Sequence, residues 1–140
     1  MNERSKKGHF SFSKRERISE KKIIDSLFSS GNKFSVYPFD VRFLNQDENS
    51  DSISKVLITV SSSKVKSAVK RNLLKRRIKE SYRINKNIIS NKSLMIAFIY
   101  ISEEIFKFLV INKAIKKILK KLSELWVEFY VLIHQVLFVQ

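Results

Sequence analysis

The sequence predicts an α+β domain, and three patterns carry that prediction. Residues 34–44 alternate apolar and polar, residues 94–101 (LMIAFIYI) are apolar without interruption, and segments 19–30, 64–83 and 111–122 repeat apolar residues at helical spacing. At 140 residues the chain suits one domain with one core.

Residues 1–17 are polar and basic and read as a flexible arm, with Phe10 and Phe12 as its anchors. Ser19 then suits the N-cap of a short amphipathic helix carrying Ile23, Ile24, Leu27 and Phe28, and Gly31 suits a left-handed residue that ends it. Alternation over 34–44 puts Tyr37, Phe39, Val41 and Phe43 on one face of a strand. Pro38 cannot donate to a ladder and marks an edge or bulge. An acidic loop follows, and then KVLITV at 55–60, expected as the antiparallel neighbour of 34–44.

Within that loop, Asp47, Asn49 and Asp51 imitate the start of a calcium loop. Ser52 replaces the glycine such a loop requires and Ile58 its bidentate glutamate, so calcium is excluded. After a second helix at 64–83, the run at 94–101 is expected to be a central strand buried on both faces. A closing helix carries Ile111, Ile115, Ile118, Leu119 and Leu122, with Lys113, Lys116, Lys117, Lys120 and Lys121 on its solvated side. The domain is drawn over 18–122, leaving 123–140 as an apolar extension of unknown role. From Leu125 on, that extension is too short to span a bilayer.

Charge points to the partner. Lys and Arg number 28 against 13 Asp and Glu, giving a net charge of +15 and a pI near 10.1. An excess of this size suits a phosphate backbone, and an anionic membrane surface would also attract it. No cysteine is present, which excludes disulfides and thiolate metal sites. The cationic N-terminus is not followed by an apolar run, so a cytoplasmic location is expected.

The charge concentrates at 64–83, where eight Lys and Arg follow Lys64 against one acid, Glu80. On a helix, Arg71, Asn72, Lys75, Arg76, Lys79 and Arg83 fall within an arc of roughly 140°. Arg71, Lys75, Lys79 and Arg83 stand at i, i+4 spacing, where like charges repel by a few tenths of a kcal/mol per pair. A self-repelling ladder of this kind calls for a polyanion. Arg71, Arg76 and Arg83 offer forked donors for phosphate, and Asn72 can read a base edge or a 2′-hydroxyl.

Chemistry of the chain's own is absent from the pattern. A protein nuclease needs clustered carboxylates for metal ions or a histidine acid–base pair. His9 lies in the arm and His134 in the extension, and Glu103 with Glu104 suit a helix or turn cap. No phosphate loop, HExxH or nucleophile elbow occurs. No residue is assigned to catalysis or to a metal.

The motif Ala68-Val69-x-Arg71-Asn72-x-x-Lys75-Arg76-x-Ile78-Lys79-Glu80 resembles that of the small protein subunit of bacterial ribonuclease P, especially the version found in Bacteroidetes-type bacteria. Phe12 with Lys14-Arg15-Glu16-Arg17-Ile18, Leu27-Phe28 before Gly31, Tyr37-Pro38, and Ile96 to Ile101 extend the resemblance over about residues 10–122. It implies a two-layer α+β sandwich with a four-stranded sheet, in the order α-β-β-β-α-β-α, with a left-handed β-α-β crossover. It further implies a protein that binds a catalytic RNA and the 5′ leader of precursor tRNA, so that the ribonucleoprotein hydrolyses one phosphodiester bond and leaves a mature tRNA 5′ end.

By matching position, Arg71, Asn72, Lys75, Arg76 and Lys79 would contact the catalytic RNA, with Arg83 extending the ladder. Phe28, Arg42, Ser62 and Lys64 would line a leader cleft between that helix and the sheet. Leu73 stands where the family's triplet has a second arginine, and Ser62-Ser63 replace a basic pair. No cofactor is expected on the protein alone, and catalysis would belong to the RNA and its Mg2+ ions. Two other readings of the charge are a structural or ribosomal-type RNA-binding protein and a self-sufficient protein nuclease.

Overall fold

The strand at Leu94–Tyr100 carries apolar side chains on both faces, so it gains most from a place where both faces and both edges are covered. It has that place in the computed structural model, which describes residues 12–46, 53–90 and 92–138, the side chains of 126–134 and 138 excepted. The elements are α1 (Lys21–Ser30), β1 (Asn32–Val36), β2 (Phe39–Asn45), β3 (Lys55–Val60), α2 (Ala68–Asn85), β4 (Leu94–Tyr100) and α3 (Phe108–Phe138). Short 3-10 turns occupy 14–16 and 86–89. Strand order in the four-stranded sheet is β1-β2-β4-β3.

Two strand expectations are corrected. Residues 34–44 form a hairpin and not one strand: β1 and β2 pair antiparallel with Val36 opposite Phe39, and the cis Tyr37–Pro38 pair makes the turn. Pro38, which lacks an amide proton, sits where no ladder bond is required of it, and its carbonyl accepts from Ile101 N at 2.9 Å. The strand at 55–60 is likewise not beside β2. β4 lies between them, antiparallel to β2 and parallel to β3, and α2 provides the crossover that joins the parallel pair.

Alternation along β4 divides the core. Ile96, Phe98 and Tyr100 point to one face with Phe39, Val41 and Val56, where Leu74, Ile78 and Tyr82 of α2 and Ile111, Ile115, Ile118 and Leu119 of α3 cover them. Ala97 points to the other face and meets Leu27 of α1 and Ile18, flanked by Leu44, Leu57, Met95 and Ile99. The sheet with α2 and α3 forms the sandwich, and α1 covers part of the second face.

Both ends of α1 depart from expectation. Glu20, not Ser19, occupies the N-cap position, and it makes no side-chain cap bond. Gly31 has φ −67° and is therefore extended, not left-handed. Glycine is required there by close approach, since a Cβ would lie 2.2 Å from the Leu27 carbonyl oxygen.

Residues 12–17, assigned to the arm, are held against the body. Phe12 meets Tyr82 edge to face, with centroids 5.7 Å apart. Glu16, buried, accepts from Lys86 Nζ at 2.8 Å and from Ser13 N at 2.7 Å. Arg17 bridges to Val56 and Ile18 N donates to Val56 O at 3.0 Å, which covers the outer edge of β3.

A buried polar cluster fixes α2 against α3. Asn112 Oδ1 accepts from Ser81 Oγ at 2.8 Å and from Asn85 Nδ2 at 2.7 Å. The backbone of α3 continues helically past residue 123 to Phe138. Among the described residues no helix is long and apolar enough to cross a membrane. The calcium-like residues 47–51 lie outside the described residues.

Burial raises the Tyr82 hydroxyl above its ordinary value of 10.0, with the Glu16 charge adding to the shift, and burial also raises that of Tyr100. An unfolded tyrosine ionises near 10 while these two stay protonated, so the stability they confer is intact below that pH and declines as pH rises beyond it. Urea titrations from pH 8 to 11 are expected to show stability falling above about pH 10, with a shallower fall in Tyr82→Phe.

Candidate nucleic-acid interface

The basic helix begins where Val65 is buried and anchors the preceding turn. Ser61 O accepts from Lys64 N and Val65 N at 3.2 and 2.9 Å, and Ser67 caps α2 by accepting from Lys70 N. Arg71 Nη1 then reaches back to the carbonyls of Val65 and Lys66, both at 2.9 Å. This arginine therefore ties the β3–α2 connection to the helix.

Farther along, the charge ladder is partly internally compensated. Arg83 makes a forked pair with Glu80, Nε to Oε2 at 2.9 Å and Nη2 to Oε1 at 2.6 Å. Hydrogen bonding from Arg83 holds the Glu80 carboxyl below the usual carboxylate range. Arg77, outside the ladder, donates to the Phe106 carbonyl and supports the loop before α3.

Four side chains remain: Asn72, Lys75, Arg76 and Lys79 make no hydrogen bond or ion pair among the described residues. They fall on the side of α2 turned away from Leu74 and Ile78, both fully buried. Their helix is packed against the core and against α3, which fixes the backbone positions from which the cations extend. The docked segment at 14–17 adds exposed Lys14, Arg15 and Arg17 near the Tyr82 side of α2, with the Arg17 guanidinium 5.2 Å from the Phe12 centroid. The Lys-Arg-x-Arg spacing was the available signal for that contribution.

The expected leader residues do not form one groove between α2 and the sheet. That space is filled by Leu74, Ile78 and Tyr82, which pack in the core with Val56 and Phe98. Phe28 is exposed on α1, with the Arg42 guanidinium 5.8 Å from its ring centroid, on the opposite side of the sheet. Ser62 and Lys64 are exposed on the turn after β3, next to the start of α2. No group of three His, Asp or Glu converges to hold a metal among the described residues.

Residues 12–123 match the sequence profile of the Ribonuclease P family. The chain belongs to the ribonuclease P protein family. Over 120 residues it is 32% identical to the ribonuclease P protein component of Porphyromonas gingivalis, in an alignment that covers 81% of this chain and 88% of that protein. The RNase P protein from Thermotoga maritima superposes with a TM-score of 0.65 at 26% identity, covering 76% of this chain and 97% of that one. The fold is also similar to that of the Staphylococcus aureus RNase P protein, with a TM-score of 0.65 at 24% identity over 75% of this chain and 93% of that one. Membership in this family, together with the fold, disfavours the ribosomal-type reading.

Arg71 and Arg76 are expected to behave differently when removed. Arg71→Ala loses two charged hydrogen bonds to the turn and should lower unfolding free energy by roughly 1.5–3 kcal/mol. Arg76→Ala should change it by less than about 0.5 kcal/mol while weakening RNA binding and lowering the salt slope by about one unit. Urea denaturation beside a salt-dependent RNA titration separates the two.

Proposed function

We propose that this chain binds the catalytic RNA of ribonuclease P through α2 and the 5′ leader of precursor tRNA through Ser62 and Lys64 beside that helix and Phe28 and Arg42 across the sheet, so that the assembled ribonucleoprotein removes the leader and leaves the mature tRNA 5′ end. The observation that carries this reading is the set Asn72, Lys75, Arg76 and Lys79, held on a packed helix yet without partners among the described residues. Arg71 and Arg83 border that set. Family membership supports the RNA of ribonuclease P as that partner.

Leader binding is assigned to two surfaces on different sides of the sheet. Ser62 and Lys64 lie at the start of α2, and Phe28 with Arg42 lies across the sheet. An exposed phenylalanine beside a guanidinium suits an unpaired base and its phosphate, because base stacking on aromatics tolerates any sequence. With serines at 62 and 63, the charge at the β3–α2 turn rests on Lys64 and Lys66.

Bond breaking is assigned to the RNA subunit. The Mg2+ ions of the ribonucleoprotein are assigned to RNA with it. The protein's share is charge neutralisation and positioning, both of which matter most when magnesium is scarce. The location that fits this work is the cytoplasm.

Reconstitution tests the reading. The chain, its cognate catalytic RNA and precursor tRNA at low magnesium should restore 5′ cleavage that the RNA alone performs poorly. Absence of stimulation would overturn the proposal, and cleavage by the purified protein without RNA would move catalysis to the chain.

A further inference from the structure

A cavity of about 480 Å³ opens between the β1–β2 hairpin and α3, on the sheet face opposite α1. Its wall includes Phe34 and Phe43, packed edge to face with centroids 5.8 Å apart. Asn32, Lys33, Asn45 and Lys121 also line it, and Lys121 Nζ stands 4.7 Å from the Phe34 ring centroid. Two aromatic rings, two amides and the Lys121 ammonium therefore converge on a space within the usual range for small ligands, whereas Lys33, opposite Arg42 in the strand register, directs its side chain to the other face of the sheet.

The cations leading to this cavity form a line. Lys113, Lys117 and Lys121 recur at i, i+4 spacing along one flank of α3, and all three are exposed. No acid occurs from Phe108 to Ser123 to offset them. A solvated face would gain from interspersed acids, whereas this one repels itself. Its last member enters the pocket, which gives the repulsion a specific place to be relieved.

We propose that this pocket binds an unpaired nucleotide of single-stranded RNA, its base against the Phe34–Phe43 pair and its flanking phosphates on Lys121 and Lys117. Asn32 and Asn45 carry both donors and acceptors for a base edge. The combination of a cationic track and aromatic side chains is the chemistry of sequence-tolerant single-strand binding. An apolar ligand would leave Lys121 and Lys117 uncompensated, and an anion without a ring would leave the aromatic wall unused. The site lies apart from the free cations of α2 and extends the RNA-binding reading to a second surface. Its strand comes from the catalytic RNA or from the precursor.

The test uses the full-length chain and a fluorescent hexauridylate, with no catalytic RNA present, so that it reads the pocket independently of ribonuclease P activity. Lys117→Gln with Lys121→Gln should weaken binding at least about tenfold and lower the salt slope by about 1.4 units, as two lost single-strand phosphate contacts require. Lys116→Gln with Lys120→Gln removes the same charge from α3 away from the pocket and should change affinity less than about twofold. A 4-thiouridine hexamer should crosslink to peptides containing Phe34 or Phe43. Equal losses in the two double variants, crosslinks confined to other peptides, or no binding of the hexamer at low salt would each overturn the proposal. Adding excess catalytic RNA identifies the source: displacement of the hexamer assigns the pocket to the RNA subunit, and retention assigns it to the precursor.

Discussion

Everything in this domain depends on covering β4 on both of its faces. Its side chains from Leu94 to Tyr100 are apolar in both directions, and a strand of that kind at a sheet edge would leave large apolar areas in water. Placing it between β2 and β3 supplies backbone partners on both sides. Covering its faces then requires helices on each. α1 meets Ala97 on one, and α2 and α3 enclose Ile96 and Phe98 on the other.

That constraint decides how α2 is divided. Leu74, Ile78 and Tyr82 belong to the core, and Ser81 and Asn85 belong to the contact with α3. Fully burying one such aliphatic side chain contributes about 1.5–3 kcal/mol, whereas each like-charge pair on the helix surface costs only a few tenths. The buried side of the helix therefore outweighs the repulsion on its exposed side. The fold can therefore hold a self-repelling charge arrangement, which the proposed RNA partner would relieve.

Much of the element content was legible because periodicity reports burial directly. The continuous run at 94–101 announced a central strand, and the helical repeats at 64–83 and 111–122 announced their core faces. Periodicity does not report partners, which is why β3 was expected beside β2. The hairpin did leave a signal: partly or fully buried apolar positions change parity from Phe34 and Val36 to Phe39, Val41 and Phe43, a slip that one continuous strand cannot contain. Pro38 marks the place. The candidate site residues were legible as a charge pattern, but not their contacts within the fold. That Arg71 secures the β3–α2 turn depends on where two carbonyls lie, and that Phe28 and Lys64 sit on different sides of the sheet depends on topology. Glu80 and Arg83 stand three residues apart, so their pairing could have been read from sequence.

The central claim is that the free cations of α2 are kept for RNA at the expense of local stability, and one paired measurement on Lys75→Gln with Lys79→Gln addresses it. The thermal midpoint should hold or rise, since repulsion is removed and no partner is lost. Affinity for the catalytic RNA should fall, with the salt slope reduced by about two units. A midpoint lowered by several degrees with RNA affinity unchanged would show that these lysines serve the fold, and would contradict the account.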